Sequence, residues 1–111
     1  MSRYASKALS AELYRLSGKW TCGYWYSYQD KIVKKTMADE KPGVPAYTIE
    51  YLLSMLPHGV LLTKKTVGYS AMLRNAVTDY DYIHVVGDTA ADALAALAVE
   101  LIQQRKDWLA Y

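Results

Sequence analysis

Two histidines, one cysteine and a short cluster of aspartates are the side chains of this 111-residue chain suited to moving protons, attacking carbon or holding a metal ion. His58 follows Pro57 at the end of a helix-like segment and reads as a loop residue. His84 lies in an apolar strand-like run and reads as a satisfied core or sheet-face histidine. Neither stands at metal-ligand spacing from the other or from Cys22. Cys22, between Thr21 and Gly23 on an aromatic run, reads as a small buried hydrophobe, since a nucleophile needs a base brought from elsewhere. Asp79, Asp81 and Asp88 offer oxygen ligands but lack the Gly and terminal Glu of a calcium loop, so they read as solvated turns. Gly43, Gly59 and Gly68 stand singly and make no phosphate loop. The expectation is a non-catalytic chain with no cofactor and no metal.

The aromatic content points instead to binding. Eleven tyrosines and three tryptophans occur beside no phenylalanine, so every aromatic ring carries a hydrogen-bonding tip. Such side chains suit interfaces, where they bring large contact area at low entropic cost, and they also stack on nucleobases. Protein recognition is the first reading, with Trp25 as the leading anchor, followed by Tyr80 and Tyr82 beside their acidic neighbours. The alternative is a single-stranded nucleic-acid or nucleotide platform. It would be built from Tyr24, Trp25 and Tyr26 with Lys34 and Lys35, extended by Lys64, Lys65 and Arg74. Alternation puts Trp20, Cys22, Tyr24, Tyr26 and Tyr28 on one side of their strand and Trp25 on the other. Helices covering the crowded side would turn these tyrosines into core and remove the platform.

These residues need a scaffold, and the length fits one domain over 1–111 that buries roughly 65% of its unfolded surface. One cysteine rules out an intramolecular disulfide and makes a reducing, cytoplasmic setting the expectation. Ser10, Glu12 and Arg15 interrupt any leader-length apolar stretch near the N-terminus. No run of about 18 apolar residues suits a membrane span, so no membrane role is expected. Net charge is +2, divided into +6 over residues 1–75 and −4 over residues 76–111, which lets the two parts attract each other once folded.

Ser6 caps a helix to about Ser17 with Leu9, Leu13 and Leu16 on one face. Residues 20–28 alternate as a strand, and Ile32–Met37 reads as its hairpin partner, the paired lysines marking an exposed edge. The loop from Asp39 to Ala46 carries two prolines that forbid a continued ladder at those positions. Thr48 caps a short helix to about Leu56. Strand-like runs follow at Val60–Val67, Tyr69–Asn75 and Tyr80–Val86. In the last, Tyr82, His84 and Val86 share one side and Ile83 and Val85 the other, with neither side cleanly polar. Thr89 and Asp92 read as a reciprocal capping box opening a helix to about Lys106. The predicted fold is α+β: an antiparallel sheet of about five strands, two then three, with the long C-terminal helix packed on one face and two shorter helices. An edge strand could pair with a partner or make a homodimer.

Val44-Pro45-Ala46-Tyr47-Thr48-Ile49, then Leu52-Leu53 and Met55-Leu56-Pro57, then Gly87-Asp88-Thr89 opening an Ala-Asp-Ala-Leu helix, resemble small uncharacterised proteins carried by phages and prophages of gut bacteria. The likeness covers roughly residues 9–104. Those relatives often place Pro after the capping Thr, where this chain has Ala90, and the change leaves a helix start intact. What the resemblance implies is a mobile-element accessory protein acting inside a bacterial cell, a class that includes inhibitors of host defence. It carries no functional residue over.

Overall fold

Three hydroxyls decide where the helices begin. Ser6 Oγ accepts from the Leu9 amide at 3.3 Å and opens α1, Lys7–Ser17. Thr48 Oγ1 accepts from the Tyr51 amide at 3.1 Å and opens α2, Ile49–Met55. Thr89 Oγ1 accepts from the Asp92 amide at 3.1 Å and opens α3, Ala90–Gln104. Each satisfies one amide that the first helical turn leaves free, which is worth about 1 kcal/mol. These contacts come from a computed structural model that describes residues 3–17, 20, 24–26, 31–34, 44–56, 59–74 and 82–104.

The fold is α+β, with antiparallel strands and the C-terminal helix packed on a sheet, but the strands form two small sheets and not one. The first has the order β2-β1-β3, from β1 (Tyr24–Tyr26), β2 (Ile32–Lys34) and β3 (Val44–Pro45). The second has the order β4-β5-β6, from β4 (Leu61–Lys64), β5 (Tyr69–Arg74) and β6 (Tyr82–Gly87). The proline-bearing loop contributes more than expected. Pro45 sits opposite Trp25 although it has no N–H, because the neighbouring Ala46 donates its amide to the Tyr24 carbonyl at 2.8 Å. Tyr4 bridges Thr48, and the Ala5 amide donates to the Tyr47 carbonyl at 2.8 Å, so the N-terminal segment lies along the same stretch.

α3 holds the layers together. Most of its alanines and leucines are buried, with Ala91, Ala93, Leu94, Ala95, Leu97, Ala98 and Leu101 fully enclosed. The second sheet lies on one side, and α1 and α2 pack against it as well. Asp92, Ala96, Val99, Glu100 and Gln103 form the one part-exposed stripe, and the wide apolar remainder suits a helix packed between two layers. Ala71 and Leu73 of β5 are buried against it, with Leu62, Ile83 and Val85 half-buried beside them.

The approach of sheet to helix is closest at Gly87. A Cβ placed there would meet the Ala93 backbone nitrogen at 2.5 Å and its Cα at 2.9 Å. Gly68, at φ +78°, backs onto the Gly87 carbonyl in turn, where a Cβ would stand 2.5 Å from the oxygen. All of these atoms are backbone and cannot swing aside, so Gly87→Ala must push the first turn of α3 off the sheet. The expected loss is about 3 kcal/mol, the upper end for overpacking. Urea unfolding followed by circular dichroism checks it; a midpoint unchanged from the wild type would contradict the close approach.

Candidate functional site

The aromatic hairpin was the leading candidate in the sequence, and the structure spends it on the core. Trp25 is only 8% exposed, its ring edge-on to Tyr14 of α1 with centroids 5.6 Å apart. The expectation of a solvent-facing anchor is therefore corrected. Tyr26, 9% exposed, donates its hydroxyl to the Ala5 carbonyl. Successive residues of β1 point to opposite faces, and α1 meets one while the Tyr4–Ala5 segment meets the other. Tyr24 alone of the three stays open, at 43% exposure, edge-on to Tyr4 at 6.4 Å. Tyr47 follows the same logic: fully buried, it stacks on Tyr51 at 5.6 Å and donates its hydroxyl to the Trp20 carbonyl. A three-ring stacking platform on this hairpin is thus reduced to one open ring among the described residues.

The second sheet leaves a different surface. Its register aligns Leu61, Met72 and His84 in one row and Thr63, Ser70 and Val86 in the next. Alternation sends these residues to the face opposite the α3 side, where Leu62, Ala71 and Val85 align. Val86 is 67% exposed and Leu61 55%, His84 and Thr63 are exposed, and Met72 is half-buried between its neighbours. Ser70, central in its row, is 4% exposed. No described helix packs on this side, and its centre carries no carboxylate or ammonium group.

Charges gather at one end. Lys64 and Lys65 are exposed at the end of β4, and Asp88 is exposed just past β6. None of the three enters an ion pair among the described residues. Backbone register sets Arg74 opposite Tyr82 at the other end of the sheet and Lys34 opposite Tyr24 in the first sheet. Tyr80 and Lys35 lie outside the described residues, as do Cys22, His58, Asp79 and Asp81. Among the described residues no group of three His, Cys, Asp or Glu side chains is placed to hold a metal ion. No helix is long and apolar enough to cross a membrane.

Leu61, Met72 and Val86 were not singled out by sequence reasoning. The period-two pattern put Val86 beside Tyr82 and His84, yet nothing local marked that side as the open one. Leu61 and Leu62 are adjacent leucines, and only their register with β5 tells which of them faces α3.

Tyr26 yields a pH prediction. Burial, then the negative charge of Asp92, then Tyr4, raise its phenol above the ordinary value of 10.0. The folded state therefore resists ionisation more than the unfolded chain does. The associated stability is whole below about pH 10 and is lost as pH rises through the higher folded value. Tyr26→Phe should cost about 1 kcal/mol at neutral pH through the lost hydrogen bond and should flatten the alkaline decline. Thermal unfolding from pH 7 to 11 measures both; an equally steep alkaline limb in the variant would reject the assignment. No protein-family model, curated protein or solved structure matches the chain.

Proposed function

We propose that this chain acts by non-catalytic protein recognition through the open face of the second sheet. The observation that carries this reading is the pair of rows, covered by no described helix, that exposes Leu61, Val86 and His84 around the half-buried Met72, while the hairpin aromatics are consumed by the core. A charge-free centre that mixes Leu61, Met72 and Val86 with the polar His84, Thr63 and Ser70, with charges at its margin, suits a protein contact. In the setting that the sequence resemblance implies, the protein is an accessory of a mobile element and its target class is a host-defence factor.

Nucleic-acid binding is the second reading, favoured by Lys64 and Lys65, which have no ion-pair partner among the described residues. The burial of Trp25 and Tyr26 weighs against it, because stacked bases need open rings.

Capture from bacterial lysate, with and without nuclease, separates the two. Val86→Asp puts a carboxylate into the contact and should weaken capture of a nuclease-resistant protein about a hundredfold. Lys64→Ala with Lys65→Ala should change that capture only modestly. Nuclease-sensitive material, lost steeply with added salt and with the lysine changes, would move the assignment to nucleic acid.

A further inference from the structure

We infer that a second copy of this chain fits the open face, the two sheets packing face to face with their strands running in the same direction. The inference rests on the recognition reading and names a partner for that surface. It follows from the charges at the end of the rows. Lys65 donates its amide to the Gly68 carbonyl at 2.9 Å, and a Cβ on Gly68 would stand 3.6 Å from the Asp88 Cα. Lys65, Gly68 and Asp88 therefore form a third row beyond the two uncharged ones, with opposite charges at its two ends. Two strand spacings, about 10 Å, separate those ends, so the charges do not neutralise each other within one copy.

A two-fold axis lying between two such sheets and parallel to the strands exchanges the β4 edge with the β6 edge and preserves level along the strands. Lys65 then faces Asp88 of the second copy, and Asp88 faces Lys65. In the rows behind, Leu61 lies over His84 of the second copy, Met72 over Met72 and Thr63 over Val86. The alternative two-fold axis, across the strands, sets β4 over β4 with its direction reversed and brings Lys65 onto Leu61. The Lys65–Asp88 exchange selects the first arrangement, which also sets the two Arg74 backbone positions over each other at the far end of the sheets. It is isologous and closes at a dimer, and it matches the aligned packing of β-sandwich sheets about 10 Å apart. It also differs from pairing through an edge strand, which the two lysines of the β4 edge oppose. A host protein and a second copy compete for one surface.

Sedimentation equilibrium of the full chain, from about 1 μM to about 500 μM, tests the inference, with circular dichroism confirming that each variant folds. The expected result is a monomer–dimer equilibrium that Val86→Asp abolishes. Lys65→Asp and Asp88→Lys should each weaken association about tenfold, and the two together should restore it. A chain that is monomeric throughout, a dimer indifferent to Val86→Asp, or a double exchange that recovers nothing would overturn the second copy. Lysate capture at low concentration keeps the two ideas apart. If the chain is monomeric but Val86→Asp still abolishes capture of a host protein, the recognition reading stands without the dimer.

Discussion

The peptide unit joining Asp92 to Ala93 is where the layers of this protein are fastened together. On the sheet side, Gly87 lies so close that no side chain fits between it and the Ala93 backbone. On the other side, the Asp92 carboxylate accepts the Ser6 amide at 2.7 Å, across 86 positions of sequence. Ser6 is itself the residue that caps α1, so one carboxylate orients the start of two helices. The bond is charge-assisted and partly buried, a class worth about 1.5–3 kcal/mol. The same negative charge sits in the first turn of α3, where the helix dipole favours it.

From that junction the rest of the arrangement follows. α3 must lie flat on β5 and β6, which its alanines allow, and α1 must lie against the back of α3. All described helices thereby fall on one side of the second sheet. The first sheet is drawn in through α1 and the Tyr4–Ala5 segment, and this is why Trp25 and Tyr26 are both buried although they point in opposite directions. Among the described residues, no helix covers the far face of β4-β5-β6. The proposed function thus rests on packing: the residues that the core did not need are the ones the proposal assigns to a partner.

Much of the fold was legible in the sequence, and the parts that were not share a cause. Ser6, Thr48 and Thr89 mark their helix starts because a cap acts over three residues. The leucines of α1 and α3 repeat at helical spacing, and the hairpin of β1 with β2 follows from alternation around a polar turn. The division into two sheets was not legible, nor was β3, two residues inside a proline-bearing loop that pair with a strand about 20 positions away. The fate of Trp25 depends on whether one or both faces of β1 are covered, which alternation does not encode. Asp92 looked like half of a reciprocal capping box, and its partner proved to be an amide near the other end of the chain. For the site, the sequence placed His84 and Val86 on one side of β6, and only the packing of α3 against Ile83 and Val85 shows that side to be the outer one.

The central claim is that the second sheet is one-sided, sealed by α3 beneath and open above. Solvent paramagnetic relaxation, read at side-chain methyl groups of the dilute protein with a soluble gadolinium chelate, measures this directly. The account predicts strong broadening at Leu61 and Val86, weaker broadening at Val85, and methyls at Leu73 that remain sharp. Equal protection of Val86 and Val85 in the monomer would show that the outer face is covered, and the account would fail at its foundation.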